Sequence, residues 1–309
     1  MRKMYRTLES TALLLSAAVI ALWGTVAGST DLDAERASIA QWRAQRLASL
    51  TSATGWLSLA GLFWLRQGEN TFGRAASNAL VLEHPALTDT VGSFVLTDRS
   101  VRFVARAGSA VTHDGQPVTA LDLESDAKGS PTVLQSGSLQ FFVIERAGNL
   151  GVRVRDIESP RRRNFLGLEY FPISPQWIFN ARFEPYEPPR HIKIVNILGM
   201  EEEMECPGAI VFRKDGRPWR LDTVLEEPGA QQLFVMFADG TSGRETYGAG
   251  RFMYLSLPLS GKTVVDFNKA YNPPCAFNDF ATCPLPPPQN RLRLRIEAGE
   301  KKYSGRHAS

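Results

Sequence analysis

Downstream of Leu65 the chain is a succession of short apolar and β-branched segments, each closed within a few residues by Gly, Pro, Asn or Asp. That punctuation leaves no span for long amphipathic helices and specifies antiparallel strands joined by tight turns. Asp-Gly pairs at 114–115, 215–216 and 239–240 are the residue types that accept the positive φ of a two-residue hairpin. Segments at 79–82, 92–96, 101–105, 118–121, 132–134 and 139–145 predict a β-sandwich. Alternation of Val152, Val154 and Ile157 predicts a strand that stops at Ser159-Pro160, a basic turn joining two β units. Beyond it, segments at 177–183, 191–198, 209–212, 219–225, 232–237, 250–257 and 263–266 predict an antiparallel meander or open barrel. The expected fold is therefore mainly β: a helix, a first unit within 30–158, a second within 159–299, and a mobile tail at 300–309.

The front of the chain reads differently. Arg2, Lys3 and Arg6 precede an apolar run over 13–26, followed by Ala27, Gly28 and Ser29, the arrangement of a removable export leader at 1–29. A retained anchor is the alternative, but the apolar core falls short of the ~20 residues a spanning helix needs. Removal leaves no stable membrane span and places the protein in the periplasm or outside the cell. Ile39, Trp42, Leu47 and Leu50 then recur near one face of a helix that Thr30 or Asp31 can cap.

Charge narrows the partners. Thirty-five Lys and Arg against 32 Asp and Glu give a formal net charge of +3, too small for a nucleic-acid surface. The densest cluster, Arg161 to Arg163 with Arg153 and Arg155 upstream, reads as a solvated face or an anion contact. Neither paired Cys-x-x-Cys nor His-x-x-x-His occurs, so no metal site is expected. The glycines at 240, 243, 248 and 250 form no phosphate loop, and no cofactor is expected. Outside the cytosol, Cys275 and Cys283 are expected to pair in a disulfide, with Cys206 left over.

The candidate site lies in 241–283. Arg244, Glu245, Tyr247 and Arg251 follow one turn, while Asp266, Asn268, Tyr271 and Asn272 close the strand after it. Neighbouring strand ends can gather these groups around a small polar or anionic molecule, with arginine forks for carboxylate or phosphate. Glu245 and Asp266 also form a candidate acid–base pair for hydrolysis. The competing reading is a hydrogen-bonded corner around Pro273 and Pro274; a further one is a scaffold docking through aromatic and proline-rich surfaces. The proline run at 284–288 is expected to strap the cysteine loop down before 291–296 forms a closing strand.

Two resemblances bear on this. The 66–74 turn, 114–118 and 134–142 loosely resemble a forkhead-associated domain, with Arg74 in the place of its phosphothreonine-reading arginine. Thr88 to Gly92 offers no Ser-x-x-His, so the likeness implies architecture and not phosphopeptide binding. Across the chain, GWLSLAGLFWL (55–65), GENTFG (68–73), ETYGAGR (245–251), VVDFNKAYNPPCAF (264–277) and TCPLPPPQNRL (282–292) closely resemble the bacterial family catalogued as domain of unknown function 1684. That resemblance implies no activity, substrate or cofactor.

Overall fold

The structure is a computed structural model describing the backbone of residues 12–305 and the side chains of 32–305. Helix α1 (Ala12–Thr51) runs without a break. No proline interrupts it, so Thr30 and Asp31, expected to cap a separate helix, lie within its span. The first eleven residues of the expected leader fall outside the described residues. Among the described residues no helix is long and apolar enough to cross a membrane. Ile39 and Leu50 are buried as expected, whereas Leu47 is exposed.

The first β unit comprises β1 (Leu59–Trp64), β2 (Gly68–Gly73), β3 (Leu80–Val81), β4 (Gly92–Thr97), β5 (Ser100–Ala105), β6 (Thr112–His113), β7 (Gln116–Pro117), β8 (Ala120–Leu123), β9 (Leu134–Ser136), β10 (Leu139–Arg146) and β11 (Asn149–Asp156). They form two sheets, ordered β1-β11-β10-β9-β6-β7 and β3-β2-β4-β5-β8. Phe72, Phe94 and Phe103 from one sheet meet Phe141, Val143, Val152 and Val154 from the other in a single core, so the predicted sandwich is present. The turn between β6 and β7 has Asp114 at φ 49° and Gly115 at φ 77°, the left-handed pair that Asp-Gly supplies. Strand period two, which turns Val152 and Val154 inward, turns Arg153 and Arg155 to the opposite face of β11.

The basic turn after β11 becomes α2 (Pro160–Arg163). Its cations are neither a bare solvated face nor free for an anion. Arg161 Nη1 donates to the Leu59 carbonyl at 2.7 Å, Arg162 Nε to the Thr51 carbonyl at 2.9 Å, and Arg163 pairs with Glu158 at 3.0 Å. A guanidinium on the last carbonyl of α1 also suits the negative end of its dipole.

The second unit holds β12 (Ile178–Val195), β13 (Glu201–Lys214), β14 (Arg217–Thr223), β15 (Gln232–Phe237), β16 (Arg251–Ser256) and β17 (Lys262–Asp266). A four-stranded sheet, β14-β13-β12-β17, lies beside the β15-β16 hairpin. The segments expected at 177–183 and 191–198 are the two ends of one strand, β12, whose pairing with β13 is irregular between Pro185 and Arg190. No barrel closes. Around 291–296 there is a single bridge, Ala238 to Arg291, in place of the expected closing strand. The proline strap does form: Ile197 N–H donates to the Cys283 carbonyl at 2.9 Å and Leu285 N–H to the Val195 carbonyl at 2.8 Å.

The β15-β16 hairpin is buried on both faces, which accounts for its unbroken apolar run. Leu233, Val235, Phe237, Met253 and Leu255 enter one core with Phe212 and Phe267. Phe234, Met236 and Phe252 enter a second core with Cys206, Cys275 and Cys283. That second face, opposite α1, builds the floor of the cleft described next.

Candidate functional site

On α1, Trp42, Gln45, Arg46 and Ser49 recur at i, i+3, i+4 and i+7 and so share one face. Across from them Phe234, Phe252 and Tyr254 project from β15-β16, and Trp56 and Arg146 come in from the first unit. The three bodies leave a cleft of about 540 Å³, closed at one end by Tyr271, Thr282 and Cys283. Six of its fifteen lining residues are aromatic. Tyr254 and Tyr271 stack with centroids 6.3 Å apart at 19°, and Phe252 meets Tyr271 edge-on at 6.0 Å. Burial pushes both phenols up, so they stay protonated donors near neutral pH.

The polar groups around the cleft differ in how they are neutralised. Arg46 sits 4.7 Å over the Tyr271 ring, donates to buried Glu300 at 3.0 Å and to the Asn272 carbonyl at 2.9 Å. Arg146 forks onto both oxygens of Asp126 at 3.0 and 2.8 Å. Glu226 accepts from the Tyr254 hydroxyl at 2.6 Å.

Arg153 has no such partner. It is 3% exposed, its one side-chain hydrogen bond goes to Thr282 Oγ1 at 3.3 Å, and its Nε is buried without an acceptor. Among the described residues no carboxylate lies within ion-pair distance of it. Its guanidinium rests 5.6 Å over Trp56, so it stands directly behind two cleft residues, Trp56 and Thr282. Burial, followed by repulsion from Arg146, lowers its pKa from the ordinary guanidinium range to about 10. A drop of that size sets roughly 3 kcal/mol against the charged form.

The residues singled out in the sequence divide between this cleft and a packed corner. Tyr271 and Cys283 line the cleft. Arg251 does not: it is fully buried, pairs with Asp239 at 3.1 Å and donates to the carbonyls of Ile296 and Ala298. The Asp239-Gly240 pair is accordingly no hairpin turn, because the Asp239 carboxylate takes the Thr241 hydroxyl at 2.9 Å, the Ile296 N–H at 2.7 Å and Arg251. Asp266 accepts from the Asn268 N–H at 3.0 Å and caps the short turn after β17, while buried Asn268 ties down both backbone groups of Ser174. Glu245 pairs with Arg295 at 2.8 Å, which holds its carboxyl below the usual range, and exposed Arg244 adds to that. The space expected between the Glu245 turn and Asn272 is filled by the chain's own end: Lys302 N–H donates to the Glu245 carbonyl and Asn272 Nδ2 to the Lys301 carbonyl, both at 2.8 Å. Residues 300–303, expected to be mobile, are packed there, with Tyr303 stacked on Phe165 at 5.1 Å. Tyr247 donates to the Cys275 carbonyl at 3.0 Å and joins the same corner. Neither Glu245 nor Asp266 lines the cleft.

The expected Cys275–Cys283 disulfide is not formed; all three cysteines are buried free thiols. The pair is adjacent, with the Cys275 N–H donating to Cys283 Sγ at 3.2 Å. A hydrogen bond from Cys283 lowers the Cys275 pKa, while burial pushes Cys283 strongly up. Burial likewise raises Cys206, to about 11. Only thiolate attacks an alkylating reagent, so reduced native protein at pH 8 is expected to label Cys206 and Cys283 at least about tenfold more slowly than denatured protein. Equal rates in the two states would contradict this assignment. Among the described residues no group of His, Cys, Asp and Glu is arranged to hold a metal.

Residues 163–301 match a family model described as protein of unknown function, DUF1684. The motifs at 55–65 and 68–73 lie outside the matched residues. No curated protein matches. Among solved structures, the solution NMR structure of an uncharacterized protein of Haloarcula marismortui is similar at 32% identity, over 46% of this chain and 80% of that one, with a TM-score of 0.39.

Proposed function

The chain belongs to the DUF1684 family, and from that premise we propose that it binds a small molecule joining a flat apolar body to an anionic group, in the cleft between α1 and the β15-β16 hairpin. The supporting observation is Arg153, a buried guanidinium with no carboxylate against it, standing behind a partly aromatic space of ligand size. A concave pocket lined by aromatic rings with a few convergent polar groups is the usual form of a small-molecule site, and an unneutralised buried cation behind its wall sets the sign of the ligand. Tyr254 and Tyr271 provide stacking area, Tyr271 a phenolic donor, and Arg46 and Gln45 roof the space.

The test uses this asymmetry. Removing an unpaired buried charge relieves desolvation, so Arg153→Met is expected to stabilise the ligand-free protein, by on the order of 1–3 kcal/mol. The same variant is expected to lose the thermal shift that aromatic carboxylates produce in the wild type. A panel giving no shift in the wild type, or an undiminished shift in the variant, overturns the proposal. Export is part of the same reading and rests on Arg2, Lys3, Arg6 and the apolar run over 13–26. Protein recovered outside the cytoplasm is expected to begin near Ser29, and recovery there with an intact Met1 would count against cleavage.

A further inference from the structure

A second cavity lies away from the cleft, where the β13-β14 turn faces the chain at 291–294, and it is cationic. The turn has Asp215 at φ 52° and Gly216 at φ 74°, and the strand register sets Lys214 directly opposite Arg217. Like charges in that position repel. On the other wall, Leu292 and Leu294 pack into the core of the second unit while the alternate residues Arg291 and Arg293 are exposed. Between the walls is a space of about 620 Å³ bordered by Lys214, Arg217, Arg291 and Arg293 against the single carboxylate of Asp215. That local excess equals the net charge of the whole chain, +3.

These cations are poorly matched within the protein. Lys214 reaches Asp215 only at 3.8 Å and otherwise lies 4.9 Å over the Trp177 ring. Arg217, Arg291 and Arg293 make no ion pair or side-chain hydrogen bond with any described residue. The indole Nε1 of Trp219, in the cavity wall, is buried without an acceptor. By contrast the adjoining arginines are occupied: Arg295 bridges Glu245 and Glu297, and Arg213 donates to the Gly216 carbonyl.

We propose that this groove is an anion-binding site for a compact ligand carrying two or more phosphate groups. Three arginine forks and one ammonium surround a space wider than a single tetrahedral anion, so adjacent phosphates engage separate guanidinium groups. The ligand's negative charge also offsets the repulsion between Lys214 and Arg217. The site is independent of the cleft, since it shares no lining residue with it.

The test is calorimetric titration of the full chain with pyrophosphate, tripolyphosphate and inorganic phosphate, at ionic strength held constant with sodium chloride. Saturable binding is expected for the two polyphosphates, with inorganic phosphate at least about tenfold weaker, since it can engage fewer of the forks. Both substituted positions are exposed, so Arg291→Gln with Arg293→Gln is expected to fold normally by circular dichroism and to weaken pyrophosphate by at least about tenfold. Arg153→Met is expected to leave this binding unchanged, which separates failure here from failure at the cleft. No saturable heat above chloride, undiminished binding in the double variant, or equal affinity for pyrophosphate and inorganic phosphate overturns the proposal.

Discussion

Asp239→Ala is expected to destabilise the protein by about 3–5 kcal/mol, the cost of stranding a buried charge when its partner is removed. Both side chains of the Asp239–Arg251 pair are fully buried. Desolvation already lowers the Arg251 pKa, with Asp239 as the main opposing influence. The carboxylate also serves the Thr241 N–H and hydroxyl and the Ile296 N–H, so alanine strands these donors along with the guanidinium. Urea unfolding measures the loss. Asp239→Leu combined with Arg251→Met is expected to recover much of it, because an apolar pair of similar volume carries no desolvation penalty. A single-variant loss below about 1 kcal/mol would show that the pair does not hold this corner.

Glu300→Ala is expected to cost about 3 kcal/mol and to loosen the roof of the cleft. Glu300 is completely buried, accepting Arg46 Nε at 3.0 Å on one oxygen and the Asn272 N–H at 2.8 Å on the other. Arg46 belongs to α1, and Leu50 and Phe277 pack just beyond it, so this carboxylate anchors the helix to the second unit. Hydrogen exchange over 42–50 is expected to accelerate in the alanine variant. Glu300→Gln, which keeps acceptor and shape without the charge, is expected to fall between the two. Unchanged protection in the alanine variant would show that the helix is held by apolar packing alone. A ligand bound in the cleft is expected to weaken with the roof, even though Glu300 does not line the cavity.

Of the stretches that resemble DUF1684, those at 245–251, 264–277 and 282–292 fall within the matched residues and supply polar side chains that tie this part of the second unit together. Asn268 pins the 174 loop, Asn272 receives the C-terminal segment, and Asn290 Oδ1 accepts the Asp222 N–H at 2.8 Å while its amide donates to the Asp222 and Met236 carbonyls. Side chains dense in polar groups and flanked by proline look alike whether they hold a ligand or satisfy irregular backbone, because both tasks need the same donors and acceptors. The arrangement of the 241–283 segment corresponds to the second task at Arg251, Asn268 and Asn272, and to the cleft at Tyr271 and Cys283.

Local chemistry was legible where it was sufficient. Asp114-Gly115 and Asp215-Gly216 form the hairpins their positive φ values permit, whereas Asp239-Gly240 does not, because its carboxylate is taken by an arginine twelve residues along the chain. The apolar period at 39, 42, 47 and 50 marked the helix, but of these residues only Trp42 lines the cleft, whose other α1 residues, Gln45, Arg46 and Ser49, carry no apolar signal. Arg153 is an ordinary cation in a strand alternation, and its burial follows from the 282–283 segment, about 130 residues away, closing over it.

By itself the sequence determined the mainly β class, the two antiparallel units and most strand positions, because these follow from period two and from turn residues acting over a few positions. Only the tertiary structure decided which polar groups are satisfied. Whether a carboxylate or guanidinium is matched depends on partners tens to hundreds of residues distant, and burial sets the cost of leaving one unmatched. That is why the corner around Asp239 closed on itself, and why a buried cation is left without a carboxylate at Arg153.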